Sequence, residues 1–245
     1  MRIATILPTK HLWLGDGSPY HLCLAHQAKK SLAYAFFFRK QVRDGKYVIL
    51  DNGAAEYGVP MSIDELLPVA EMIGCQELVL PDVVGNGNAT LHLSWEAYRK
   101  LHDVKELRCM AVPHGRTTKE WTNCAKEMSS WGVDTLGISK FIVPSIYTSR
   151  LYAIEDIQEI VWDSDMADTH LLGYTGVRGE VQDIERLFPD RVRGIDSSLP
   201  TLYAQIGQEL KDERPDVKLN LDVEVDEELL KRNIKRWKEL CQVSR

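Results

Sequence analysis

Residues 47–85 read YVILDNGAAEYGVPMSIDELLPVAEMIGCQELVLPDVVG and contain the repeating unit on which the fold depends. The unit opens with the apolar run Tyr47–Leu50 and closes with a second one, Glu77–Leu80. Between the two runs, Ser62-Ile-Asp-Glu65 is a capping box, and apolar residues follow it at helical spacing. This order predicts a βαβ unit with parallel strands that are covered on both faces.

The same alternation repeats along the rest of the chain. Further apolar, β-branched runs with the character of strands are Ile3–Leu7, Arg108–Val112, Thr135–Ile138, His170–Leu172 and Val192–Ile195. Helical patterns lie between them, one opened by a capping box at Thr117–Glu120 and one, Ala89–Leu101, that Asn88 could cap. Seven strands alternating with helices predict a parallel α/β fold.

The length of the chain favours a closed barrel over an open doubly wound sheet, because seven or eight βα units fit into 245 residues. Lys218–Val223 is the candidate for the eighth strand, and residues 226–243 are expected to form an amphipathic helix. We therefore predict a (β/α)8 TIM barrel over residues 1–215 with an irregular or incomplete eighth unit. Residues 216–245 would form a helical tail packed on the barrel.

Composition sets the class of protein. The chain is 44% hydrophobic and 27% charged, as in ordinary globular proteins. Its longest apolar run, residues 32–38, is far too short to cross a membrane, and the start of the chain lacks a signal-peptide pattern, so we expect a cytosolic protein.

The five cysteines are widely spaced and without a CxxC motif, which indicates reduced thiols. A net charge of -6 excludes a generally basic nucleic-acid coat but not a local basic patch.

Polar residues and glycines follow most of the predicted strands. These segments are Asp51-Asn52-Gly53, Pro81-Asp82, His114-Gly115, Ser139-Lys140, Gly173-Tyr174 and Asp196-Ser197-Ser198. In α/β barrels the carboxyl ends of all strands meet at one rim, which carries the chemistry. Three aspartates and one histidine are therefore expected to converge there. Two such carboxylates suit double displacement at a sugar carbon, and a third can accept hydrogen bonds from the donor edge of a base.

A structural interpretation competes with each of these assignments. An aspartate after a strand is commonly the N-cap of the next helix, and a histidine there is usually a satisfied structural group. Glycine-bearing loops follow Asp51 and Asp82, which argues against all three aspartates being caps. The residues alone therefore indicate a barrel enzyme, with glycosyl transfer or hydrolysis of a nucleoside or sugar both open.

At these residues the sequence resembles the tRNA-guanine transglycosylase superfamily. The most specific segment is Ile195-Asp196-Ser-Ser-Leu-Pro-Thr201, which is similar to the family's Phe-Asp-Cys-Val-Leu-Pro-Thr. Asp51-Asn52-Gly-Ala is similar to Asp-Ser-Gly-Gly, and Leu80-Pro-Asp82-Val-Val-Gly to the strand that supplies the family's guanine-binding aspartate. The remaining matches, in the family's order, are Val112-Pro-His114-Gly115 with Val-Gln-Gly-Gly, Leu136-Gly137-Ile138 with Gly-Leu-Ala-Val-Gly, and His170-Leu-Leu172-Gly173 with Tyr-Leu-Met-Gly.

The resemblance, which covers roughly residues 45 to 205, implies a role for each matched residue. Asp196 would be the nucleophile, and Asp51 the general acid and base on the exchanged base. Asp82 would accept from the donors of guanine. The other residues implied to contact the base are Asn52, His114, Gly137, Ile138, Leu172 and Gly173.

Three departures from the family narrow the assignment. Cys241 stands alone where the tRNA enzymes carry a zinc site, so we predict no zinc. The base-stacking aromatic of the family falls near Ala55, which leaves Tyr57 or Phe141 as substitutes. The chain is also shorter than the tRNA enzymes, and in these respects it looks more like the DNA-guanine transglycosylases of bacteria and phages. Those relatives insert 7-deazaguanines into DNA, and a phage-encoded protein would work in the host cytoplasm.

This resemblance implies the partners. The substrates would be DNA, or alternatively tRNA, and a free base such as 7-cyano-7-deazaguanine, with no metal or redox cofactor. Phosphate contacts are predicted for Arg178, Arg191 and Arg193, because the backbone of the polymer needs cations near the rim. A homodimer or a partner protein remains open. A non-catalytic nucleic-acid-binding subunit is the other alternative, although the presence of both Asp51 and Asp196 argues against it.

Overall fold

Eight parallel strands form a nearly closed barrel in the computed structural model, which describes residues 1–101, 107–162, 168–189 and 191–242. The strands are β1 (Arg2–Thr5), β2 (Tyr20–Leu24), β3 (Tyr47–Asp51), β4 (Glu77–Val79), β5 (Arg108–Ala111), β6 (Thr135–Ser139), β7 (Asp168–Leu172) and β8 (Val192–Ser197). The hydrogen-bonded order is β1-β8-β7-β6-β5-β4-β3-β2, and β1 contacts β2 at the seam. The predicted TIM-barrel fold is confirmed.

Helices alternate with the strands around the outside. The described helices are α1 (Ala25–Lys30), α2 (Leu32–Arg43), α3 (Ala54–Tyr57), α4 (Ile63–Ile73), α5 (Gly87–Leu101), α6 (Thr118–Ser130), α7 (Arg150–Trp162), α8 (Glu180–Leu187), α9 (Leu199–Gln205) and α10 (Glu227–Cys241). The capping box predicted at Ser62 is present at the start of α4. Thr117 caps α6 by accepting from the backbone N–H of Glu120 at 3.2 Å.

The strands are apolar because they are covered on both faces. Val48, Ile49 and Leu50 of β3 are completely buried, between the barrel interior and the layer of helices. This explains why the strands read as continuous apolar runs rather than as alternating patterns.

The eighth strand was predicted in the wrong place. It is β2, Tyr20–Leu24, and all five of its residues are buried. His21 interrupts its apolar run, and no turn residue separates β2 from α1, so its boundaries are poorly marked in the sequence. Lys218–Val223 is not a strand; the Leu221 carbonyl instead accepts from the N–H of Thr9 at 2.7 Å.

The C-terminal helix contacts α8, α9 and β1 of the barrel. Asp226 caps α10 by accepting from the backbone N–H of Leu229 at 2.6 Å. Trp237 of α10 is fully buried, with its ring edge-on to Tyr174 at 5.2 Å between centroids. Residues 243–245, the end of the predicted tail, lie outside the described residues.

A buried ion pair joins strands at the amino end of the barrel. The Arg193 guanidinium of β8 lies 2.5 Å from the Glu77 carboxylate of β4, and its Nη1 donates to Thr135 at 3.1 Å and to Asp168 at 3.3 Å. Tyr47 also donates to Glu77, at 3.2 Å. Arg193 was predicted to contact phosphate at the rim. It lies instead at the opposite end of β8, because alternate residues of this strand point into the barrel and the guanidinium finds Glu77 there.

The described helices include none with the length and apolar character needed to cross a membrane.

Gly137 lies in the middle of β6, where a side chain has no room. A Cβ atom built on it would come within 2.8 Å of Leu172 Cδ1 and 2.9 Å of Met110 Sδ. The glycine therefore permits the interior packing of the barrel.

We expect Gly137→Ala to lower the free energy of unfolding by about 1–3 kcal/mol, because overpacking a dense interior forces neighbouring side chains to move. Urea denaturation would measure the change. Gly17→Ala is the matched control, since a Cβ atom there meets nothing within 4 Å. Equal stability of Gly137→Ala and the unaltered protein would contradict this account of Gly137.

Candidate active site

Three acidic side chains meet at the carboxyl end of the barrel. Asp51 ends β3, Asp82 follows β4 and Asp196 lies near the end of β8, and all three line one cavity, hereafter the acid cavity. The acid cavity is open to solvent at its mouth. Apolar side chains, among them Leu24 and Val112, form other parts of its wall. A flat ligand with hydrogen-bond donors fits such a mixture of apolar wall and acidic groups.

Asp196 is held by two hydrogen bonds to the same oxygen. Its Oδ1 accepts from Nε2 of His170 at 3.2 Å and from the backbone N–H of Gly173 at 3.1 Å. Helix α9 begins only at Leu199, so the alternative that Asp196 is a helix cap does not describe these contacts. Among the described residues no hydrogen bond engages Oδ2, which leaves that oxygen to act in the cavity.

A chain of hydrogen bonds fixes the orientation of His170. Arg193 Nε donates to the Tyr20 hydroxyl at 3.2 Å, and that hydroxyl lies 2.9 Å from Nδ1 of His170. Because the tyrosine oxygen accepts from Arg193, its own proton goes to Nδ1. His170 then carries its hydrogen on Nε2, which is the atom that faces Asp196.

Glycine 173 is positioned by a second buried ion pair. Arg150 and Glu180 are completely buried and lie 2.9 Å apart. Arg150 Nη1 also donates to the Gly173 carbonyl at 2.8 Å and to the Ile138 carbonyl at 3.3 Å. The guanidinium therefore joins the ends of β6 and β7 and holds the peptide whose N–H reaches Asp196.

Asp82 is the acceptor of two buried side chains. Asn52 Nδ2 donates to Oδ1 and His114 Nε2 to Oδ2, both at 2.6 Å. Nδ1 of His114 accepts from the backbone N–H of Gly85 at 3.4 Å, which agrees with a hydrogen on Nε2. Helix α5 begins at Gly87, so these contacts too differ from those of a helix cap. A carboxylate has further lone pairs, and Asp82 lines the cavity.

Asp51 is the most perturbed carboxyl group of the site. Its Oδ2 accepts from the N–H of Gly53 at 2.9 Å. Burial raises the pKa of Asp51 well above its usual range, and the nearby charges of Glu56, Asp82 and Asp196 raise it further. Asp51 therefore tends to keep its proton, as a general acid must.

Sequence reasoning missed Glu56, which also lines the acid cavity. Its Oε2 is buried without a hydrogen-bond partner among the described residues. Burial raises the pKa of Glu56, and the positive charge of Lys140 opposes this shift. Glu56 lies on the short helix α3, where the sequence has no periodic signal to mark it.

Two cations were missed as well, although both line the acid cavity. Lys140 follows β6, and burial lowers its pKa. Arg214 comes from the loop between α9 and α10, and burial lowers its pKa too. Lys140 stood in a quoted strand end, whereas Arg214 is remote from every predicted strand and had no signal.

The remaining predicted base-binding residues divide into two groups. Asn52, Leu172, Gly173 and Phe141 line the acid cavity. Gly137, Ile138 and His114 lie outside the cavity lining formed by the described residues, and His114 reaches the site only through Asp82. Tyr57 is 64% exposed and packs edge-on against His26 at 4.5 Å. Of the two predicted aromatic residues, Phe141 alone lines the cavity, where Tyr174 also contributes to the wall.

The predicted phosphate contacts are not gathered at this site. Arg178 is exposed on the loop after β7, outside the described cavity lining. Arg191 directly precedes β8, at the amino end of the barrel. Arg193 is in the amino-end ion pair described above.

Among the described residues, no group of three or more histidine, cysteine, aspartate or glutamate side chains could hold a metal ion. All five cysteines are free and buried.

No protein-family model and no curated protein matches the sequence. The structure is similar to that of the YdjI aldolase from Escherichia coli K12, with a TM-score of 0.58 and 14% identity over 97% of this chain and 88% of that one. It is also similar to a mandelate racemase/muconate lactonizing enzyme from Roseiflexus sp., with a TM-score of 0.53 and 15% identity. That match covers 80% of this chain and 54% of the other. At such identities the likeness shows the barrel fold.

The raised pKa of Asp51 has a consequence for stability. The unfolded chain loses this proton near the ordinary pKa of about 3.9, whereas the folded protein keeps it to higher pH. Ionisation of the unfolded chain therefore lowers the stability of the folded state progressively as the pH rises above that value.

We expect Asp51→Asn to melt near the temperature of the unaltered protein below about pH 4, and at a higher temperature as the pH approaches 8. Thermal melts across this range measure the difference. Asp216→Asn, at an exposed position, should show no such trend. A constant difference at every pH would show that Asp51 ionises as an ordinary aspartate.

Proposed function

We propose that this protein is a base-exchange glycosyltransferase that replaces guanine in DNA with a 7-deazaguanine. The observation that carries the proposal is the acid cavity, in which Asp196 presents a free oxygen beside two further carboxyl groups. The order of motifs from Asp51 to Asp196 supports the superfamily. The barrel neighbours, an aldolase and a member of the mandelate racemase class, are themselves enzymes.

The first half of the reaction breaks the bond to guanine. Asp196 Oδ2 attacks the anomeric carbon and forms a glycosyl ester as the carbon–nitrogen bond breaks. Asp51, whose pKa is raised, supplies a proton to the departing guanine. His170 and Gly173 hold the other oxygen of Asp196, so the attacking oxygen keeps its direction.

The second half reverses these roles. The incoming 7-deazaguanine attacks the same carbon, Asp51 accepts its proton, and the ester to Asp196 breaks. Two inversions at one carbon retain its configuration. Neither half of the reaction needs an oxidant or a reductant.

Selection of guanine is assigned to Asp82. The ring N–H and the amino group of guanine are both donors, and an ionised carboxylate only accepts. Asn52 and His114 both donate to Asp82 and so orient its carboxyl group as an acceptor. Phe141 is the aromatic group that would stack on the base.

We propose DNA rather than tRNA as the polymer because the segments Pro81-Asp82-Val-Val-Gly and Ile195-Asp196-Ser-Ser look more like the DNA-guanine transglycosylase branch. A tRNA base exchanger would use the same carboxylates. Incubation with a labelled 7-deazaguanine and either polymer, followed by digestion and mass spectrometry of the nucleosides, distinguishes the two. Label found only in tRNA would replace the DNA assignment, and release of free base without incorporation would indicate a hydrolase.

We expect Asp196→Asn to reduce incorporation of label by at least about a thousandfold, because the amide is a poor nucleophile. Circular dichroism and thermal melts would show that the variant folds. Asp183→Asn, an exposed carboxylate on α8, is the matched control. Incorporation at the normal rate by Asp196→Asn would remove this mechanism.

We expect Asp82→Asn to affect the choice of base more than stability. The amide presents a donor where guanine needs an acceptor, so the preference for guanine over hypoxanthine at the same position should fall about 10- to 100-fold. Competition between guanine- and hypoxanthine-containing oligonucleotides measures the ratio. An unchanged ratio together with a collapse of the melting temperature would assign Asp82 a purely structural role.

A further inference from the structure

A second compartment adjoins the acid cavity, and none of the residues that make it basic was assigned a role from the sequence. This mouth chamber contains about 1000 Å³ of empty space and is open to solvent. It shares part of its wall with the acid cavity, including Glu56, Lys140, Phe141 and Arg214. A ligand in one compartment can therefore extend into the other without leaving the protein surface.

The mouth chamber is basic although the chain as a whole is acidic. Its described lining has three cations, Lys140, Arg214 and Lys218, against one carboxyl group, Glu56, whereas the net charge of the chain is -6. Within the described ranges none of these three cations forms an ion pair within 4 Å, whereas other exposed cations, such as Lys29 and Lys100, do. Charge that is concentrated beside a cavity and left unpaired is free to bind an anion.

The loop that carries two of the cations is fixed to the barrel. The Tyr203 hydroxyl donates to the Glu213 carbonyl at 3.0 Å, next to Arg214. Gln205 Nε2 donates to the carbonyl of Lys218 itself at 2.9 Å, and Gln205 Oε1 accepts from the N–H of Asn220 at 3.0 Å. Both anchors lie on α9, which directly follows the Asp196 strand. The position of the cations is thus set relative to Asp196.

We propose that the mouth chamber is a phosphate subsite for the nucleotide whose base occupies the acid cavity, with Arg214 and Lys218 as its main contacts. Lys140 lies at the boundary of the two compartments. The inference rests on the proposed function and deepens it, because it makes a phosphorylated nucleoside the substrate. The phosphate belongs either to a polynucleotide backbone or to a free nucleotide.

The carboxyl group of Glu56 competes with a bound phosphate for the cations of the subsite. Its carboxyl group lies in the same wall and interacts with both Lys140 and Arg214. A bound phosphate must compete with it for these cations. Removing the charge of Glu56 should therefore strengthen phosphate binding, whereas removing Arg214 or Lys218 should weaken it.

Binding is measured by fluorescence anisotropy with a labelled single-stranded oligodeoxynucleotide that contains one guanine, between about 50 and 200 mM salt. We expect Arg214→Gln and Lys218→Gln each to weaken binding about tenfold and to reduce the slope of log K against log salt by about 0.7. Glu56→Gln should bind more tightly. The matched controls are Lys211→Gln, on the same loop, and Arg236→Gln, on the outside of α10; both should behave as the unaltered protein.

Competition with deoxyguanosine monophosphate and with deoxyguanosine identifies the source of the phosphate. Displacement by the monophosphate that depends on Arg214 indicates a free nucleotide, and displacement only by longer strands indicates the backbone; both outcomes support the subsite. Affinity and salt slope that are unchanged in Arg214→Gln and Lys218→Gln would overturn it, with thermal melts showing that the variants are folded.

The same measurement separates this inference from the proposed function, because binding is measured without base exchange. Arg214-dependent binding with no incorporation of 7-deazaguanine would leave the subsite standing and remove the function. Normal incorporation, with a KM for the oligonucleotide that is equal in Arg214→Gln and the unaltered protein, would remove the subsite and leave the proposed function standing.

Discussion

The interior of this barrel depends on a continuous run of hydrogen bonds from one end to the other. It begins at the buried pair of Glu77 and Arg193, passes through the hydroxyl of Tyr20 to His170, and ends at Oδ1 of Asp196. Each link has a direction, because Arg193 can only donate and Asp196 as a carboxylate can only accept. The ion pair at the amino end therefore sets the tautomer of a histidine and, through it, which oxygen of Asp196 remains unbound at the other end.

The buried ion pair of Arg150 and Glu180 lies outside the strands, on α7 and α8. It positions the Asp196 carboxylate through Gly173. Burying two charges costs free energy, and replacing such a pair by apolar residues is often neutral or stabilising. Here the guanidinium also donates to the carbonyls of Ile138 and Gly173 at the ends of β6 and β7. Because Gly173 donates to Asp196, the pair contributes to the precision of the site as well as to the closure of the barrel.

The repeating strand and helix pattern was sufficient to predict the barrel and the rim, since it follows from apolar runs covered on both faces. The pattern was insufficient to locate β2, because His21 breaks its apolar run. It was also insufficient to predict the partner of Arg193, because that depends on the direction in which its side chain points. Asp51, Asp82 and Asp196 were predicted to converge because barrel topology brings strand ends together. Glu56 and Arg214 could not be predicted in this way, because they lie on a one-turn helix and on a long loop whose positions are fixed by contacts distant in sequence.

The charges of the site bear on the proposed division of roles, in which one carboxyl group is the acid and another the nucleophile. Asp51, Glu56, Asp82 and Asp196 share one cavity, and ionising all four in a poorly hydrated space is unfavourable. Among the described residues Asp82 and Asp196 each accept two hydrogen bonds, whereas Asp51 accepts one and has Glu56 as its strongest like-charged neighbour. Burial and these neighbouring charges raise the pKa of Asp51, which favours its protonated form. The positive charges of Lys140 and Arg214 oppose the rise in the pKa of Glu56 and so limit the remaining repulsion at the mouth.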